Sequence, residues 1–91
     1  MSLLSGNILT KYLNEINWEY SDNTISKEFV LKDFGDAIAF VVKIGMLAEK
    51  ADHHPDIRVF SWNKVRIELT THDQGGITEK DIDLAQQIEK L

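Results

Sequence analysis

Apolar positions along the chain switch between a helical and a strand period, and the switches predict seven elements. Leu9, Tyr12, Leu13 and Ile16 recur at i, i+3, i+4 and i+7, one face of a helix from about Gly6 to Ile16 that Ser5 or Asn7 could cap. Trp18 and Tyr20 then alternate with Glu19 and Ser21, the period of a strand. Asp22-Asn23 is a turn signal, and Thr24 to Leu31, with Ile25, Phe29 and Leu31 in phase, reads as the partner strand. Lys27 breaks that phase, as an edge strand would allow.

The longest periodic run follows. Ala37, Phe40, Val41, Ile44, Leu47, Ala48 and Ala51 share one helical face, so a helix is expected from Asp33 or Phe34, with Asp33 as cap, to about Ala51. Pro55 prevents its continuation. Gly45 sits inside it at a cost of about 1 kcal/mol relative to Ala, which a close approach by a neighbouring helix or sheet would explain. Ile57 to Trp62 is expected as a third strand and Lys64 to Thr71 as a fourth, the latter with Val65, Ile67 and Leu69 on a buried face and Lys64, Arg66, Glu68 and Thr70 on a wet one. Asp73 to Gly76 is a loop. Thr78-Glu79-Lys80-Asp81 resembles a capping box with Asp in the usual place of Glu, flanked by Ile77 and Ile82 as a hydrophobic staple. Leu84, Ala85, Ile88 and Leu91 give the last helix its apolar face. The expectation is an α+β fold of order α-β-β-α-β-β-α over residues 1–91 as one domain. Its helices cover one face of a four-stranded antiparallel sheet, and the polar face is left as a surface that could bind.

Charge and composition remove several function classes. Acidic residues outnumber basic ones 15 to 10, and no basic face accumulates, which argues against a nucleic-acid partner. The mainly apolar segment Ala37 to Ala48 is too short to span a bilayer and carries Lys43, so no membrane partner is expected. No basic region precedes an apolar core at the N-terminus, so no signal peptide is visible. The chain has no cysteine, which excludes disulfides, thiolate nucleophiles and cysteine-based metal sites, and fits a cytoplasmic setting.

Candidate chemistry concentrates in one window. Glu49, Asp52, His53, His54 and Pro55 lie within seven residues, and the third histidine is His72. Imidazoles titrate near neutral pH and suit proton transfer when something orients them; Glu49, one turn before His53, could do so. Adjacent histidines point about 100° apart on a helix, a poor arrangement for one metal, although Glu49, His53 and His72 leave a metal hydrolase open. Neither Ser61 nor Thr71 sits in a nucleophile elbow, and Gly75-Gly76 is no phosphate loop. On plainer readings the paired histidines terminate a helix, where positive charge favours the dipole end, and Asp81 is a cap. The residues alone describe an α+β domain open to acid–base enzymology.

The spacing adds a resemblance. Glu49, three residues, His53-His54-Pro55, six residues, Trp62, nine residues, His72, eight residues and Asp81 resembles the active-site pattern of the pterin-4a-carbinolamine dehydratases, also known in animals as a dimerization cofactor of a homeodomain transcription factor. Ala48-Glu49-Lys50, Asn63-Lys64-Val65, Leu69-Thr70-Thr71-His72 and Gly76-Ile77-Thr78-Glu79-Lys80-Asp81 look like the family too. The resemblance implies dehydration of 4a-hydroxytetrahydropterin to quinonoid dihydropterin and water, a hydro-lyase step in tetrahydrobiopterin recycling without metal or other cofactor. His53, His54 and His72 would be catalytic, with His53 and His72 the favoured acid–base pair. Asp52, Thr70, Thr71 and Asp73 would join the three histidines in lining the pterin site, and Glu49, Pro55, Trp62 and Asp81 would support it. It further implies a homodimer or homotetramer and an aromatic amino acid hydroxylase as a pathway partner. The alternative it leaves is a non-catalytic pterin-binding or coactivator module of the same fold.

Overall fold

The structure is a computed structural model and describes residues 2–91. Helix α1 spans Gly6–Ile16 and ends where Asn17 turns left-handed at φ 59°, a conformation asparagine tolerates. Strands β1 (Glu19–Ser21) and β2 (Thr24–Val30) form a hairpin whose two turn residues, Asp22 and Asn23, both have positive φ, 53° and 62°. Such mirror-image turns match the twist of the strands they join. Helix α2 (Phe34–Ala51) starts at Asp33, whose carboxylate accepts the Asp36 amide at 2.8 Å. Strands β3 (Asp56–Phe60) and β4 (Lys64–Leu69) follow, then a 3₁₀ turn at His72–Gln74 and helix α3 (Glu79–Glu89).

The four strands lie in the order β1-β2-β4-β3, every neighbouring pair antiparallel. Strands β2 and β3 are therefore parallel to each other, with β4 inserted between them and α2 crossing over. Ile25, Val65, Ile67 and Leu69 point to the helical side, where they meet Ala37, Ile44 and Ala48 of α2 and Ile82, Leu84, Ala85 and Ile88 of α3. Each large side chain among these contributes about 1.5–3 kcal/mol by leaving water. The opposite face is polar. Arg66 sits at its centre and donates to Glu68 at 3.1 Å, Glu28 at 3.3 Å and Ser26 at 3.0 Å. The hydrogen bond to Glu68 is the main cause that holds this guanidinium above its ordinary pKa.

Five expectations are corrected. Strand β2 is interior, not an edge, and Lys27 instead pairs with Glu89 of α3 and lies over the Phe29 ring. Strand β3 stops at Phe60 because Ser61 and Trp62 adopt φ 47° and 57°, which no strand accommodates; Trp62 is exposed in the turn. Strand β4 stops at Leu69, and Thr71 pairs only with Gly76. Leu91 lies beyond α3 and is exposed. A Cβ at Gly45 would meet nothing within 4 Å, so no close approach inside the chain accounts for that glycine. Along the outer side of α2, Phe34, Ile38, Val42 and Met46 form a stripe, each 41–69% exposed.

Candidate active site

The site forms where α2, β4 and α3 bring their ends together. Helix α2 closes in a Schellman-type cap: Asp52 turns left-handed at φ 51°, its amide reaches Glu49 O at 3.2 Å, and the His53 amide reaches Ala48 O at 3.1 Å. This reversal takes His53 off the helix, so the i+4 relation with Glu49 no longer applies. Glu49 meets His54 instead, Oε1 to Nε2 at 2.9 Å, with both side chains mostly exposed. Such a pair contributes about 0–1 kcal/mol.

His53 turns inward. Its ring is only 11% exposed, and Nε2 lies 2.6 Å from Oδ1 of Asp81, a carboxylate with no exposure at all. Oδ2 of Asp81 accepts the Thr78 amide at 2.9 Å and the Thr71 hydroxyl at 2.7 Å. Asp81 is thus the third residue of the α3 capping box and also the partner of a histidine. The Thr71 and Thr78 hydroxyls are 2.8 Å apart.

A cavity of about 350 Å³ opens beside this network. It is lined by Asp52, His53, His54, Thr70, Thr71, His72 and Asp73, together with Gln74 and Lys80. His72 begins the 3₁₀ turn and is exposed. The Thr70 hydroxyl donates to Asn23 O at 2.7 Å, so that group is held by the β1–β2 turn. Glu49 and Asp81 stand behind the lining through the two histidines. Pro55 follows the helix end, and Trp62 lies at the opposite end of β4 from Thr71, away from the cavity within one chain. Gln74 and Lys80 were not named as site residues from the sequence, and Thr78 was read there only as part of a capping box. Lys80 had a readable signal, since it precedes Asp81 in the first turn of α3.

Among the described residues, no group of three or more His, Asp or Glu side chains is placed to hold a metal ion. No helix among them is long and apolar enough to cross a membrane. Imidazoles and carboxylates around an open cavity, mounted on an α-β-β-α-β-β-α sheet, define the class: an α+β protein with groups suited to moving protons.

The particular family follows from comparison. The chain belongs to the pterin-4a-carbinolamine dehydratase family, whose description "Pterin 4 alpha carbinolamine dehydratase" matches residues 2–91. It is 46% identical to a protein of Prochlorococcus marinus over 92 residues, covering 100% of this chain and 96% of that one. It is 44% identical to one of Sulfolobus acidocaldarius over 89 residues, covering 97% of each. Both relatives bear the name "Putative pterin-4-alpha-carbinolamine dehydratase". A crystal structure of a transcriptional coactivator/pterin dehydratase from Brucella melitensis superimposes with a TM-score of 0.91 at 32% identity, covering 98% of this chain and 97% of that one. A pterin dehydratase-like RuBisCO assembly factor of the alpha-carboxysome shares the fold, with a TM-score of 0.66 at 20% identity over 80% of this chain and 83% of that one.

Proposed function

We propose that this chain dehydrates a 4a-hydroxytetrahydropterin to the quinonoid dihydropterin by histidine acid–base catalysis. The observation that carries the reading is the cavity, which gathers His53, His54 and His72 with Asp52 and Asp73. The chemistry asks for little else. The C4a–O bond breaks, the N5–H proton is taken up by a base, and the hydroxyl leaves with a proton as water. Acid–base assistance of this kind contributes about 10²–10⁴-fold. The carboxylates and threonine oxygens around the cavity offer acceptors to the polar edge of a pterin, and Gln74 and Lys80 offer donors. The cycle in which this serves is recycling of tetrahydrobiopterin behind an aromatic amino acid hydroxylase, in the cytoplasm.

The decisive assay generates the carbinolamine in solution and follows its loss in absorbance with and without the protein. Acceleration over the spontaneous rate supports the reading, and no acceleration at micromolar protein refutes it. The second reading, a binding or coactivator module without turnover, draws on the name of the Brucella melitensis structure; pterin binding without turnover would favour it.

Self-association is part of the same proposal. The stripe Phe34, Ile38, Val42 and Met46 leaves apolar surface in water, and Gly45 beside it leaves room for a second helix. A homodimer or homotetramer would cover it.

A further inference from the structure

One hydrogen-bonded chain in the molecule starts in the core and not at the cavity. Thr78 and Asp81 are both fully buried, and Thr78 is not part of the cavity wall. We propose that Thr78 and Thr71 are positioning residues. Through Asp81 they hold His53 as its Nε2–H tautomer and leave Nδ1 as the atom that takes the proton from substrate N5. The proposal rests on the dehydratase reading above and assigns the base within it.

The polarity of the chain follows from counting protons. A carboxylate only accepts, and Oδ2 of Asp81 accepts both the Thr78 amide and the Thr71 hydroxyl. Thr71 has one hydroxyl proton and uses it on Asp81. The 2.8 Å contact between the two hydroxyls is therefore donated by Thr78. Oδ1 is left to face Nε2 of His53 at 2.6 Å. A carboxylate has no proton to give, so the hydrogen of this contact sits on Nε2. Neutral imidazole carries one N–H, and Nδ1 is then the acceptor.

Nδ1 is also the atom that can be reached. It has no hydrogen-bond partner among the described residues, and no buried side-chain nitrogen or oxygen among them lacks one. Nδ1 is therefore not buried, on a ring that lines the cavity. When it takes the N5 proton, the N5–H electron pair becomes the C4a=N5 double bond and the C4a–O bond breaks. The hydroxyl collects a proton from a second group, for which exposed His72 is the candidate. The imidazolium that forms keeps its ion pair with Asp81.

The test uses full-length ¹⁵N-labelled protein and long-range ¹H–¹⁵N spectra, at a pH where His53 is neutral, beside steady-state kinetics. The wild type is expected to show protonated Nε2 and unprotonated Nδ1 at His53. Thr71→Val and Thr78→Val keep the shape and remove the hydroxyl. Each is expected to mix the tautomers and lower kcat by about threefold to tenfold, the scale of one hydrogen bond to a charged group, with KM unchanged. Thr71→Ser and Thr78→Ser should restore both readouts. The Thr71 hydroxyl makes no cap hydrogen bond to the 3₁₀ turn it precedes, so its valine variant remains informative if Thr78→Val folds poorly. A wild-type Nδ1–H tautomer overturns the proposal, as does an unaltered tautomer in Thr71→Val. So does a rise in KM alone, which would make Thr71 a substrate contact. The spectra need no substrate, so a wild type without dehydratase turnover refutes the functional reading separately.

Discussion

Asp81 allows stability and chemistry to be separated by two substitutions at one position. Asp81→Ala removes the acceptor of three donors: the Thr78 amide, the Thr71 hydroxyl and His53 Nε2. A buried donor left without a partner costs about 1–3 kcal/mol, so the loss should total about 3–5 kcal/mol after local rearrangement. A domain of 91 residues has about 5–14 kcal/mol in all. At about 4–8 °C per kcal/mol, the midpoint should fall by about 12–40 °C. Asp81→Asn behaves differently. Its amide oxygen must take the Oδ2 position, because both partners there are donors. Its NH₂ then faces Nε2 of His53, where it can be accommodated only if the ring gives up the Nε2–H proton. The fold loses charge assistance alone, about 1–2 kcal/mol or about 4–16 °C. Turnover should fall by about 10²–10⁴-fold, the whole acid–base contribution. Calorimetry and the carbinolamine assay on both variants measure these quantities. A folded Asp81→Asn that keeps more than a tenth of wild-type kcat would refute the catalytic half. An Asp81→Ala that melts within a few degrees of wild type would refute the energetic half.

Further outcomes are expected. His53→Ala and His72→Ala should each lower kcat by about 10²-fold or more on the generated carbinolamine, and undiminished rates would remove them from the acid–base pair. Glu49→Ala should change the melting temperature by less than about 4 °C, since its bond to His54 is exposed and contributes about 0–1 kcal/mol. Val42→Asp places a charge in the exposed α2 stripe and should shift sedimentation toward smaller species; an unchanged coefficient would locate self-association elsewhere. Trp62→Gly should raise the melting temperature by about 4–8 °C, by relieving the left-handed strain of about 1 kcal/mol at φ 57°. No rise would mean that the exposed indole compensates for that strain.

Much of this architecture is local and so was legible. The stripe of α2, the alternation of β4 and the box at Thr78–Asp81 each depend on neighbours a few residues apart, and the elements they predict are present within one to three residues. What escaped depends on contacts distant in sequence. Nothing in residues 24–31 tells that β4 will pair with β2, so Lys27 read as an edge residue when its explanation is Glu89, sixty-two residues away. The same holds at the site. Glu49 and His53 have helical spacing, and only the left-handed Asp52 shows that the helix ends before that spacing can act. The partner of His53 is Asp81, twenty-eight residues on. Thr78 looked like an ordinary cap because its second contact, to Thr71, forms only when α3 docks against the end of β4.

The Thr78 amide offers a clock. It is a buried backbone N–H whose acceptor is the same carboxylate that faces His53. It can exchange with deuterated solvent only when that bond opens. Its exchange rate in substrate-free protein therefore counts how often the carboxylate leaves its place, residue by residue and without turnover. A pterin seated on His53 should slow that single amide more than the amides in the middle of α3.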